Sequence, residues 1–138
     1  MRTILHILEL AGSYRDDLYL RIENPPYLRL VIEATPEPGP QGFRALSVAH
    51  YAEQNGDLMR DPEMMLEIED AASGLSLNPY YWRNDYLGVE QSSRTNLGGA
   101  YHVLPELHAE HCGFALDWDR VIAMQGYPGI FERQQSRH

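Results

Sequence analysis

The chain has 138 residues, 43% of them hydrophobic and 22% charged, a size and balance that fit one globular domain with its own core. A domain of this length buries roughly 68% of its unfolded surface, so it needs no metal or disulfide staple. Cys112 stands alone, which excludes an internal disulfide and makes a reducing, cytoplasmic setting the expectation. A net charge of −9 excludes a general binder of double-stranded nucleic acid.

The first residues, MRTILHILELAG, carry Arg2 ahead of an apolar run, but His6 and Glu9 interrupt it. The segment therefore reads as a helix over 3–11 rather than a signal peptide. Thr3 is its expected cap, Ile4, Leu5, Leu8 and Ala11 share a face, and Gly12 ends it. No stretch approaches the ~18 apolar residues that span a membrane, so no membrane is expected as a partner.

The pattern then changes to period two. Leu18, Leu20 and Ile22 alternate with Tyr19, Arg21 and Glu23, and beyond Pro25 and Pro26 the alternation resumes with Leu28, Leu30, Ile32 and Ala34. These are two half-buried strands. Residues 36–42, PEPGPQG, read as a loop. A third strand over 43–54 places Leu46, Val48, His50 and Ala52 on one face, and a fourth places Met64, Leu66 and Ile68 inward with Glu63, Glu67 and Glu69 outward. Residues 71–79 are expected as a loop, 80–83 and 87–91 as short strands, and 92–101 as a polar loop. A long helix is predicted over 105–125, with Pro105 at its start and Leu107, His111, Phe114, Trp118, Val121, Ile122 and Gln125 on one stripe. Gly126 and Pro128 should stop it, leaving a domain over 1–128 and a polar, frayed tail over 129–138. Helix, antiparallel strands, helix is an α+β order: about five or six strands with the N- and C-terminal helices on one face.

The hairpin between the third and fourth strands contains a conflict. Asn55-Gly56 is a strong signal for a two-residue turn, which pairs His50 with Asp61 and Tyr51 with Arg60. Even positions then face odd ones. Yet the apolar positions are even on both strands, and a slip of one residue inverts every face. Some irregularity between Asn55 and Glu63 must absorb one residue. Asp61-Pro62 is the favoured place, because proline cannot donate to the ladder; a three-residue turn that includes Asp57 is the alternative.

The stretch VAHYAEQNGDLMRDPEM (Val48–Met64), with its HYAEQNGDLMRDPEM core, resembles the hallmark segment of an uncharacterised bacterial family, a domain of unknown function found on plasmids, phages and integrative elements. ENPPYLRLVIE (Glu23–Glu33), YYWRNDYLGVEQ (Tyr80–Gln91) and WDRVIAMQGY (Trp118–Tyr127) are similar to further parts of that family. The resemblance implies a bacterial, mobile-element setting. It carries no established activity, so no catalytic residue transfers.

Four groups of residues have chemistry to weigh. His50, Asp57, Asp61 and Glu63 bring one imidazole and three carboxylates to the hairpin, suited to acid–base work or a metal, or to locking the turn together with Tyr51 and Arg60. His108, His111 and Cys112, with His102 ahead of them, offer ligand types for zinc on the long helix, but the spacing lacks a fourth ligand. Tyr81, Trp82, Arg83 and Asp85 lie in PYYWRNDY, where aromatics beside an arginine can stack on single-stranded bases or a peptide. Between Glu53 and Asp70, seven carboxylates stand against the single Arg60, a local net charge of −6 that can steer a basic partner or simply keep a strand soluble. No phosphate-binding loop, nucleophile elbow, CxxC pair or HExxH is present.

The expected function is therefore a non-enzymatic accessory or interaction domain of a mobile element, with a protein partner and no cofactor. The alternatives are a metal-dependent or acid–base hydrolase at the His50–Glu63 hairpin and a single-strand nucleic-acid binder through the Tyr80–Tyr86 segment.

Overall fold

Alternating side chains build the main sheet in the computed structural model, which describes residues 1–136. Strands β1 (Tyr19–Ile22), β2 (Arg29–Ala34), β3 (Ala45–Gln54), β4 (Asp57–Ala71), β5 (Gly74–Asn84) and β6 (Val89–Ser92) pair in chain order as one six-stranded antiparallel meander. Helix α1 (Arg2–Leu10) precedes it, and α2 (Pro105–Met124) and α3 (Tyr127–Gln135) follow. The fold is α+β, as the element order implied.

One face of the sheet carries Leu20, Ile22, Leu30, Ile32, Leu46, Val48, Met64, Leu66 and Ile68, and all three helices close over it. Ile4, Ile7 and Leu8 come from α1, Ala115, Trp118 and Ile122 from α2, and Tyr127 and Phe131 from α3. Each buried aliphatic side chain of this kind contributes about 1.5–3 kcal/mol of transfer free energy. The start of α1 is satisfied from a distance. Asp119 of α2 accepts the Thr3 and Ile4 N–H groups at 3.1–3.4 Å, so this carboxylate, and not the Thr3 side chain, caps the helix. At its other end Ser13 N–H reaches the Leu8 carbonyl across Gly12, whose φ of 89° lets the chain reverse.

Three segments differ from their sequence-based reading. Residues 71–79 are not a loop. The β4–β5 ladder runs through them to the Ala71–Gly74 pair, and the only alternation there, Leu75 and Leu77 with Ser76 and Asn78, is short and follows the exposed Ala71-Ala72-Ser73. The segment over 92–101 is likewise mostly paired, as β7 (Arg94–Leu97) and β8 (Ala100–Val103) around a Gly98-Gly99 turn. The presumed tail is helical through Gln135. Gly126, at φ 82°, joins α2 to α3, and Pro128 sits in the first turn of the new helix, where a missing N–H costs nothing. Tyr127 and Phe131 bury themselves in the core and anchor that helix. The last two positions of that stretch, 137–138, lie outside the described residues.

Part of the opposite face, around Glu67, is covered too, by the Pro-Gly loop over 36–42 and the β7–β8 hairpin. Beneath them Glu67 and Arg94 are fully buried and paired at 2.7 Å. Glu67 also accepts the Gln41 and Phe43 N–H groups. Arg94 donates to the carbonyls of Asn78 and Pro79 and to the Tyr101 hydroxyl. Gly39 lies so close that a Cβ there would overlap the Glu67 side chain. Removing one partner of such a pair strands a charge in a dry site. Arg94→Leu is expected to cost about 3–5 kcal/mol in urea unfolding, and the double variant Glu67→Leu/Arg94→Leu to cost less than Arg94→Leu alone. A double variant at least as damaged as the single one would show that the charge pairing is not what matters there.

Candidate functional site

Asn55 and Gly56 adopt φ of 53° and 85°, the geometry of a two-residue hairpin turn, and Gln54 pairs with Asp57. Tyr51 faces Arg60, but two residues further along β3, Ala49 faces Glu63. Two positions on β3 thus span three on β4, and the additional residue lies in Asp61-Pro62, opposite His50. The ladder carries the bulge that the face parity required, and beyond it Val48 meets Met64 and Leu46 meets Leu66, apolar against apolar.

The bulge directs Asp61 and Pro62 to the helical side of the sheet. There they line a cleft of about 380 Å³ with His50, Trp118, Val121, Gln125 and the loop residues Pro26, Tyr27 and Leu28. The loop is held at both ends, by Asn24 Nδ2 donating to the Gln125 carbonyl and by the Tyr127 hydroxyl donating to the Leu28 carbonyl. His50 is buried, with its ring edge-on to Trp118. Trp118 Nε1–H donates to His50 Nδ1 at 3.1 Å. Indole is a donor only, so Nδ1 carries the lone pair and the proton of the neutral ring sits on Nε2. That Nε2 has no hydrogen-bond partner among the described residues. Burial lowers the His50 pKa to about 4, and the attraction of Asp61 offsets only part of the effect.

The remaining hairpin candidates lie elsewhere. Glu63 points to the opposite face, where Ser47 Oγ donates to it at 2.6 Å and Arg60 Nε lies 3.4 Å away. Burial and the nearby Glu63 together raise the pKa of Glu33, and the same causes raise that of Tyr51. Asp85 ties this region to β5 by accepting the Arg60 N–H and pairing with Arg83 at 2.7 Å. Burial works against ionisation of Asp85, but these donors outweigh it and hold the carboxyl below its usual range. Asp57 is exposed beside the turn. His50, Asp57, Asp61 and Glu63 therefore do not converge on one centre. The sheet divides them.

The aromatic segment is divided in the same way. Trp82 turns to the helices and meets Phe114 edge-on, while the Tyr81 hydroxyl is held by Glu90 on the other face. Tyr81, Trp82 and Arg83 thus form no continuous stacking platform. On α2, His111 is buried and both ring nitrogens are engaged, by Ser93 and Gln91. His108 Nε2 lies 2.7 Å from Asn78 Oδ1 and 3.5 Å from Cys112 Sγ. One nitrogen serves both neighbours, and burial raises the Cys112 pKa, so the thiol is not activated. Among the described residues no group of three His, Cys, Asp or Glu side chains is placed to hold a metal ion. Glu67, read as part of an outward acidic face, is sealed against Arg94.

Sequence reasoning missed Arg94, Ser47 and Tyr27. Arg94 sat in an expected loop and Ser47 on a strand with no distinguishing neighbour. For Tyr27 the two prolines before it signalled a turn but not what the turn would cover.

The depressed His50 pKa has a measurable consequence. An unfolded histidine binds its proton near pH 6.5 and the folded one near 4, so between these values the unfolded chain holds more protons. Stability therefore falls as pH drops from about 6.5 to about 4, by about 3 kcal/mol from this residue at ~1.4 kcal/mol per unit. In urea unfolding at pH 7 and pH 4, His50→Phe is expected to lose correspondingly less on acidification than the native chain. Equal losses would refute the assignment.

Comparison with curated proteins and with solved structures returned no match. A family model does match, over residues 2–128, which is nearly the whole chain and takes in the sheet, the bulge and the cleft. The chain belongs to the family described as a domain of unknown function (DUF6908).

Proposed function

We propose that the protein is a non-enzymatic accessory domain of a bacterial mobile element and that it binds a protein partner along the outer edge of β8. The carrying observation is that edge. Strand β8 pairs with β7 on one side and, among the described residues, with no strand on the other, and all four of its residues are exposed. Val103 and the following Leu104 expose 39% and 58% of their surface, and Leu97 at the far end of the hairpin exposes 66%. A free strand edge with apolar side chains accepts an extended segment through backbone hydrogen bonds. Glu106 and Glu110 are exposed just beyond it, and the chain carries −9 overall, so the segment that fits is extended, apolar and flanked by lysine or arginine. The HYAEQNGDLMRDPEM motif (His50–Met64) supports the mobile-element setting.

A photocrosslinking amino acid at Val103, introduced in the host cell, is expected to give a discrete adduct that the same group at Tyr19, on the outer strand β1, does not. The partner so identified should bind purified protein, and Val103→Glu should weaken that binding by about tenfold or more, about 1.4 kcal/mol. Absence of a position-specific adduct, or binding untouched by Val103→Glu, would remove the β8 edge from consideration.

A further inference from the structure

The cleft behind the bulge has the chemistry of a small-molecule site. Its volume of about 380 Å³ lies within the ~300–1,000 Å³ range of ligand pockets. The rings of Tyr27 and Trp118, with Pro62 and Val121, give it apolar walls. Two polar groups border it. His50 Nε2–H is a donor whose direction is set by the Trp118–Nδ1 bond and which no protein acceptor meets. Asp61 is an acceptor whose Oδ1 is occupied by Asn84 Nδ2 at 2.9 Å, leaving Oδ2 without a donor among the described residues. A buried donor left unpaired is costly, so a group that supplies an acceptor is favoured there.

The donor–acceptor pair selects a ligand class. The imidazole offers no lone pair to a metal, because Nδ1 is engaged and Nε2 is protonated. The Asp61 carboxylate and the overall −9 disfavour an anion. We propose that the cleft binds a small uncharged planar molecule with a carbonyl next to an N–H, the edge of a cyclic amide. The carbonyl accepts from His50 Nε2–H, the N–H donates to Asp61, and the flat body lies against the aromatic walls. Nε2 has almost no exposed surface of its own, so the carbonyl reaches it only when a lining side chain moves aside. Tyr27 is the lining residue suited to that: its side chain is 47% exposed and makes no hydrogen bond among the described residues, while its backbone is held by the Asn24 carbonyl.

The test is titration of the full chain with 2-pyridone, with uracil and with 1-methyl-2-pyridone, read by nitrogen–proton NMR of the Trp118 indole and the His50 ring. The first two probes are expected to shift both signals saturably at millimolar concentration. The methylated probe keeps the ring and carbonyl but lacks the N–H, and should bind about tenfold more weakly. His50→Phe should abolish the indole response. Asp61→Ala, at a less buried position, should erase the preference for 2-pyridone over its methyl derivative, and it carries the test should His50→Phe not fold. Val103→Glu should change nothing, which separates this site from the β8 edge. The proposal is overturned by absence of shifts up to probe solubility, by equal response to the methylated probe, or by a His50 Nε2–H that cross-relaxes with a trapped water which no probe displaces.

Discussion

A single additional residue in β4, opposite His50, sets which way every later side chain of that strand points. The tight Asn55-Gly56 turn imposes one register and the apolar residues of β3 and β4 require another. Both are strong preferences, since the turn depends on two positive φ values and the core depends on Leu46, Val48, Met64 and Leu66 all facing the helices. The bulge at Asp61-Pro62 reconciles them. Proline suits the position because it has no N–H to leave unpaired. The bulge also carries Asp61 to the same side as His50 and leaves Glu63 on the other, and so it shapes the cleft.

A second irregularity, in β5 at Tyr80 opposite Met65 and Leu66, has a comparable effect on the far face. The carbonyl of Tyr80 accepts the Ser93 N–H and holds the chain as it turns from β6 into β7. The β7–β8 hairpin then folds over the sheet and carries Arg94 onto Glu67. The charged residues of this face are thus consumed internally, Glu67 by Arg94, Glu63 by Ser47 and Arg60, and Asp85 by Arg60 and Arg83. The sheet is covered on one side by an apolar layer of helices and, around Glu67, on the other by a thinner polar layer of loop and hairpin.

Two of the surfaces left with unmet demands bear on function. One is the outer edge of β8, with backbone groups that no strand pairs and apolar side chains in water. The other is the cleft, with one proton on His50 Nε2 that no protein atom accepts. They lie on different elements and ask for different chemistry, an extended chain in the first case and a small hydrogen-bonding molecule in the second.

Read alone, the amino-acid sequence determined the element types wherever apolar spacing was regular: α1, β1 to β4 and α2, the α+β class, and even the need for an irregularity between Asn55 and Glu63. That last result followed because side-chain parity is a counting constraint, which a sequence states completely, while the choice of Asp61-Pro62 over a three-residue turn was made by the tertiary ladder. It did not show the distal arm of β5, the β7–β8 hairpin or α3. The β5 arm has only Leu75 and Leu77 in alternation, the hairpin leaves most of its side chains exposed, and α3 buries only Tyr127 and Phe131, so none leaves a long regular apolar pattern. Nor did it show which polar residues would meet. His50 with Trp118, Glu67 with Arg94 and Thr3 with Asp119 are separated by 68, 27 and 116 positions. Neighbours in sequence such as Asp61 and Glu63 were instead sent to opposite faces. Spacing along a chain predicts contacts only within one turn or one ladder, whereas a site joins side chains that only the packing of helices and loops onto the two faces brings together.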